Sequence, residues 1–485
     1  MQNIPKHRYA RLGASLAVAG ILCLAAHAEQ LPLTCASVFG DGAVLQQGIE
    51  LPVWGISAPG AHVSVQIAGQ TVSGVADSTG NWKILLAPLT ADALTALEKA
   101  PKGRTLTVSA THSKRSCIVT FSGILVGEVW LCSGQSNMAG KVRHHPVEDR
   151  SDNLLRSHFP AIRHTVGDGT WTTATKDSVN HFTRVGFCFA RDIHRELHVP
   201  VGLLNASTGG SHIEAWMRAA PDVEIESPAN SRPRTYGSNY AKLIAPMVGY
   251  GMRGALWYQG EANASEGIEY QQKLTWMIQD WRRSWQLGDF PFYFVQIAAI
   301  GTSPTNSPAM GDGRARIRDA QRRVLSTINT GMATAIDNGA LKEHPPNKKE
   351  IGIRLAQWAL RRDYDRADVV PSGPLYKRHQ IEGKYIRIQF DYAQGLMKAN
   401  RTPFHAPEPA PNADLPWLSI QGEDGTWHWA TATIDGKDLL VSSDKVSKPK
   451  AVRYATTNRP LGVYLYNAAG LPAAPFATTP LWGEE

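Results

Sequence analysis

Apolar and polar residues alternate singly through the first part of the chain, then change period, then alternate again. From residue 30 to about 120 the runs starting at Leu51, His62 and Trp82 show the period of two expected of half-buried strands. Gly40-Asp41-Gly42, Ala58-Pro59-Gly60 and Thr79-Gly80-Asn81 punctuate them as turns. A small β-sandwich is predicted over 29–121. At Ile124 the alternation stops. Ile124 to Leu131 is an unbroken apolar run that ends in the glycine-containing turn Cys132-Ser133-Gly134-Gln135-Ser136. Beyond it, strand-like runs at Val201–Leu204, Gly254–Trp257, Phe292–Ile297 and Met332–Ile336 are interleaved with helical stretches. Tyr270 to Trp285 places Tyr270, Leu274, Met277, Ile278, Trp281 and Trp285 on one side of a helix, and Arg314 to Leu325 forms another. Such alternation predicts a mostly parallel sheet covered on both faces over 122–368, with any site at the carboxyl ends of its strands. From Val370 the two-residue period returns, with Pro403 to Pro416 as a long connection, and 369–485 is predicted to be a second β-rich unit.

Composition adds an address. Lys6, Arg8 and Arg11 precede an apolar run from Leu12 to Ala26, and Ala26-His27-Ala28 supplies small residues at a cleavage position. Residues 1–28 therefore read as a signal peptide, and the mature protein as periplasmic or secreted. Its removal takes three basic residues and no acid, so the formal charge falls from +8 to +5. That charge is scattered, with no basic block interleaved with aromatics, which argues against nucleic acid as a partner. No other stretch approaches the ~18 apolar residues of a membrane span. Cys35, Cys117, Cys132 and Cys188 remain, in a compartment that permits disulfides, with three pairings open. Neither C-x-x-C nor H-E-x-x-H occurs, so no metal is expected. Fourteen Trp is a high count, divided between core packing and possible platforms for sugar rings.

Four segments at predicted strand ends carry chemistry. Ser136 follows a buried strand at a tight turn, where it either caps a helix or presents a nucleophilic hydroxyl with its own N–H toward an oxyanion. His344 lies on the loop after the strand that ends near Asp337. Asn347 and Glu350 follow as a capping pair for a helix through Ile351, Leu355 and Trp358, so this is either a loop His or a placed general base. Gly209 and Gly210 permit a backbone N–H to approach a substrate oxygen, or simply make a turn. Gln259, in Trp257-Tyr-Gln-Gly-Glu-Ala-Asn263, offers an amide donor or braces its loop.

In this order the segments resemble the sialate O-acetylesterase family, a branch of the SGNH hydrolases. The resemblance rests on Gly127-Glu-Val-Trp-Leu-Cys-Ser-Gly-Gln-Ser-Asn-Met138, Gly210-Ser-His-Ile-Glu-Ala-Trp216, Leu256-Trp-Tyr-Gln-Gly-Glu-Ala-Asn263 and His344-Pro-Pro-Asn-Lys348. It extends to Val44-Leu-Gln-Gln47, Val452-Arg-Tyr454 and Gly470-Leu-Pro-Ala-Ala-Pro-Phe476. It implies an SGNH (flavodoxin-like) three-layer α/β/α core with a parallel sheet, flanked by β-sandwich or jelly-roll-like regions at both ends. It also implies a cofactor-free serine esterase removing O-acetyl groups from a carbohydrate, either sialic acid or a hemicellulose such as xylan or xyloglucan. Ser136 would be the nucleophile and His344 the base. Ser136, Gly209 or Gly210, and Gln259 would supply the oxyanion donors. The acid departs from the pattern, because Leu341 stands three residues before the His where an Asp is usual. Asp337, Glu343 or a Ser–His dyad remain, with Asp337 the first choice. The alternatives are an inactive carbohydrate-binding protein on the same scaffold, and a lipase, against which the polar loops argue.

Overall fold

The computed structural model describes residues 31–144, 158–221, 235–264, 266–301, 307–311, 313–341 and 343–482. The signal peptide expected at 1–28 lies outside them. The chain is mixed α/β. Its centre is a sheet built from β1 (Arg115–Gly134), β2 (Phe159–Thr165), β3 (Thr172–Ala174), β4 (Val201–Ser207), β5 (Gly254–Tyr258), β6 (Phe292–Gln296) and β7 (Thr330–Thr334). The spatial order is β3-β2-β4-β1-β5-β6-β7, parallel throughout except for the edge strand β3. Among the described residues the α-helices that accompany the sheet are α1 (Ser136–Ala139), α2 (Arg184–Leu197), α3 (Ile268–Trp285), α4 (Arg314–Val324) and α5 (Lys348–Asp363).

Aromatic contacts show which helix covers which face. Trp130 of β1 and Tyr293 of β6 stack with centroids 5.8 Å apart, meeting Phe189 of α2 and Trp358 of α5. Phe292 precedes Tyr293 and so points to the other side. It meets Trp281 of α3, which also packs on Trp257 of β5. Helices therefore flank the sheet on both faces, as buried parallel strands require. Close backbone approach helps: a Cβ on Gly352 of α5 would lie 2.6 Å from the Cβ of Cys188 on α2.

Strand β1 runs straight across the expected boundary at 121. Its first half alternates in burial and pairs antiparallel with Arg104–His112, while Ile124 to Gly134 is wholly buried in the central sheet. One hydrophobic core runs from Leu31 through the N-terminal strands and the central sheet to Ala474. The C-terminal strands, including Leu375–Glu382, Tyr385–Asp391, Leu418–Gly422, Trp427–Trp429 and Pro449–Tyr454, pair antiparallel around a second core centred on Ile388, Ile420 and Val441. Among the described residues Cys35, Cys117 and Cys132 are free thiols, and Cys188 is buried. Among the described residues no helix is long and apolar enough to cross a membrane.

Candidate active site

Glycine sets the turn that carries Ser136. Gly134 ends β1 at φ +130°, where a Cβ would lie 2.2 Å from the Tyr258 carbonyl oxygen, so only glycine fits. The strands on either side hold the turn. Thr208 N–H donates to Gly134 O (3.0 Å), and Gln135 N–H donates to Tyr258 O (2.9 Å). The Gln135 side chain reaches across to accept from Ala262 N–H at 3.2 Å. Ser136 itself is half-buried between buried neighbours.

His344 stands on the loop between β7 and α5. Its Nε2 is 2.9 Å from Ser136 Oγ, bridging 208 residues of sequence. The loop is anchored where it enters α5. Asn347 caps α5 by accepting from Glu350 N–H at 3.1 Å, and Arg184 of α2 donates to Pro346 O at 2.7 Å. Among the described residues the hydrogen bond to Ser136 is the one the imidazole makes.

The expected acid does not meet the histidine. Asp337 is buried, and its carboxylate is taken up by Arg354 (2.7 and 2.9 Å), Arg401 (2.6 Å) and the Tyr466 hydroxyl (3.3 Å). Burial alone would raise its pKa, but the two guanidiniums hold it below the ordinary carboxylate range. Its contribution to stability is therefore in place above about pH 4 and is lost as pH falls through the lowered value. Glu343 is exposed, points away to Arg314 at 4.0 Å, and serves the loop through its backbone carbonyl instead. Leu341 is 69% exposed. Asp337→Asn is expected to cost about 2 kcal/mol of stability, because charge-assisted bonds to two arginines weaken. It should leave kcat within roughly threefold of wild type. Unfolding curves beside kinetics check this, and a collapse of kcat at unchanged stability would restore Asp337 as the acid.

Donors for an oxyanion are unevenly met. A Cβ on Gly209 would sit 3.7 Å from Ser136 Cβ, so this glycine lies alongside the nucleophile turn, while Gly210 has φ +68° and open space. Among the described residues no acceptor takes the N–H of Ser136, Gly209 or Gly210. Gln259 differs. Its amide is fully buried, with Nε2 donating to Ser211 O (3.2 Å) and Asn263 Oδ1 (2.8 Å) and Oε1 accepting from Tyr270 OH (2.8 Å). Both amide hydrogens are thus spent on bracing the loops after β4 and β5.

A buried polar group beneath the pair went unread in the sequence. Asn137 Oδ1 accepts from Lys348 Nζ, while its Nδ2 donates to the Glu261 carboxylate and to Glu343 O (3.0 Å for the latter). One amide thus ties the nucleophile turn, the loop after β5 and the histidine loop together. Burial raises the Glu261 pKa and pushes Lys348 down to about 7, with Glu261 opposing that fall. The signal lay within motifs already noticed: Asn137 follows Ser136, Glu261 follows Gln259 by two residues, and Lys348 follows His344 by four. Among the described residues no group of three or more His, Cys, Asp and Glu side chains could hold a metal.

Comparisons with known proteins converge on this architecture. Residues 126–361 match the family model for "carbohydrate esterase, sialic acid-specific acetylesterase". The sialate O-acetylesterase of Homo sapiens is 25% identical, over 74% of this chain and 77% of that protein. The Pongo abelii sialate O-acetylesterase is 24% identical and spans 91% of both chains. A crystal structure of a carbohydrate acetylesterase from Xanthomonas citri superposes with TM-score 0.76 at 31% identity, covering 92% of this chain and 99% of that one.

Proposed function

We propose that this chain, which belongs to the sialate O-acetylesterase family of carbohydrate esterases, cleaves O-acetyl esters of glycans through an acetyl-enzyme on Ser136. The carbohydrate O-acetylesterase activity follows from that membership. One observation carries the proposed mechanism: the 2.9 Å contact between Ser136 Oγ and His344 Nε2 at the carboxyl ends of a parallel sheet.

In this reading Ser136 Oγ attacks the acetyl carbonyl carbon while His344 Nε2 takes the hydroxyl proton. The carbonyl oxygen becomes an oxyanion, held by the N–H groups of Ser136 and Gly209, with Gly210 next in line. Collapse expels the sugar oxygen, which receives the proton from His344, and leaves acetate esterified to Ser136. Water, deprotonated by the same imidazole, then releases acetate and restores the serine. The pair acts as a dyad, since Asp337 and Glu343 are engaged elsewhere. Gln259 supports the hole from behind by fixing the two loops that border it. The substrate is an acetylated sialic acid or an acetylated hemicellulose such as xylan or xyloglucan. The catalytic unit proposed over 122–368 is flanked by β units at 29–121 and 369–485 and shares the continuous strand β1 with the first of them. A leader at 1–28 would deliver it to the periplasm or beyond.

The engaged carboxylates are also what favours the rival reading, a carbohydrate-binding protein that has lost its chemistry. A fluorophosphonate probe separates the two. Covalent labelling that maps to Ser136 and abolishes acetate release from an acetylated glycan panel is the expected result. Acetate release that survives with Ser136 fully labelled would refute the mechanism.

A further inference from the structure

The loop that carries Arg314 links the catalytic face to the C-terminal β unit. Arg314 opens α4 and lies 4.0 Å from the Glu343 carboxylate, next in sequence to His344. The chain just before it is pinned to the turn after Pro449–Tyr454: Gly311 N–H donates to Thr456 O (2.6 Å) and Arg314 N–H to Asn458 Oδ1 (2.8 Å). Arg453 adds bonds to the carbonyls of Ala309 and Met310, the second at 3.1 Å. Pro308, at the outer end of this segment, walls a cavity of about 330 Å³ together with His428, Trp429, Thr431, Asp444 and Lys445.

Trp429 is the feature that needs explaining. Among the described residues it is the one exposed tryptophan, at 39%. A single exposed apolar side chain is ordinary, but this ring is held. Trp417 meets it edge-to-face with centroids 6.0 Å apart, and Trp417 is itself fixed by its Nε1 donating to Leu461 O at 2.7 Å. Its strand neighbour Trp427 is covered by the Arg453 guanidinium at 4.1 Å, so the same arginine that pins the catalytic-face loop also rigidifies this strand. A preorganised indole above a small concave space, rimmed by a carboxylate, an ammonium, an imidazole and a hydroxyl, has the chemistry of a sugar site. The C–H face of a pyranose covers the ring, and its hydroxyls reach the rim. The volume lies at the lower end of the ~300–1,000 Å³ typical of small-molecule sites, too small for a protein anchor of several side chains.

We infer that this cavity is a remote subsite for a distal sugar unit of a glycan chain whose acetylated residue lies at Ser136. The inference rests on the esterase reading above and sharpens it. A subsite on the C-terminal unit serves a polysaccharide, not a single acetylated monosaccharide.

The test compares wild type and Trp429→Ala on acetylated xylan and on p-nitrophenyl acetate. The substitution is expected to raise KM for the polymer roughly five- to tenfold, the scale of one lost aromatic contact, with kcat on the polymer and both constants on the small ester unchanged. In parallel, Ser136→Ala is titrated with deacetylated xylan, and its binding should be lost in Ser136→Ala/Trp429→Ala. An unchanged polymer KM, an equal change on both substrates, or no xylan binding by Ser136→Ala overturns the subsite. Failure of the esterase reading shows differently, as a wild type that releases no acetate from either substrate.

Discussion

Ser136→Ala and His344→Ala each lower kcat for p-nitrophenyl acetate by about 10³–10⁴, and the double variant falls no further than the worse single. The reason is that the two side chains form one device. Without the hydroxyl the imidazole has no proton to take. Without the imidazole the hydroxyl stays protonated, a weak nucleophile at neutral pH. The losses therefore overlap instead of multiplying. What survives is binding plus stabilisation by the backbone N–H groups of Ser136 and Gly209, which neither substitution removes. Neither change reaches the core, since the His344 side chain is exposed and Ser136 half-buried, so melting temperatures should stay near wild type. Steady-state kinetics on the three variants, with a melting curve for each, settle it. Additive losses in the double variant would mean that the two groups act independently, and the 2.9 Å contact would then have no catalytic meaning.

Much of this site could be read from the sequence because its parts are local. A buried run ending in a glycine turn places Ser136 by geometry alone, and the capping of α5 by Asn347 fixes where the histidine loop ends. The helix read from Tyr270 to Trp285 is observed from Ile268 to Trp285, and the one read from Arg314 ends at Val324. The failures are non-local. Asp337 does sit just past a strand end, as read, but Arg354 and Arg401 claim it, and no periodicity reveals a guanidinium arriving from 64 residues downstream. For Gln259 the sequence leaves donation and loop bracing open, because it does not show that Ser211 O and Asn263 Oδ1 lie within the amide's reach. At Ile124 the change from half-buried to fully buried residues predicts a change of unit, whereas one continuous strand makes the transition. Period and burial were visible. Continuity of the backbone hydrogen bonding was not.

The second large effect lies beneath the catalytic pair. Lys348→Met is expected to destabilise the protein by about 3–5 kcal/mol at pH 6.5, below the value of about 7 to which burial lowers the amine, so that the wild type still carries the cation and the variant strands its partner charge. Lys348 and Glu261 are both buried, and Asn137 stands between them with its carbonyl toward the amine and its amide hydrogens toward the carboxylate. Methionine fills similar volume but leaves Glu261 facing a desolvated environment without its cation, while Oε2 of that carboxylate has no hydrogen-bond partner among the described residues. The carboxyl pKa, already raised by burial, must rise further. A carboxyl with a raised folded pKa binds more protons folded than unfolded, so stability falls as pH climbs above its ordinary range near 4.3. The deficit of the variant is therefore smallest near pH 5 and grows toward pH 6.5, while the wild-type amine is still charged. Glu261→Gln in the same background removes the stranded charge and should recover part of the loss, a coupling that two independent packing defects would not show. Activity should drop as well, because Asn137 loses the contact that orients its bond to Glu343 O, and that bond holds the loop from which His344 reaches the serine. Denaturant titrations at pH 5 and 6.5 on the two singles and the double decide the matter. A pH-independent deficit, or a double variant no better than Lys348→Met alone, would show that the amine fills space there and carries no charge the fold depends on.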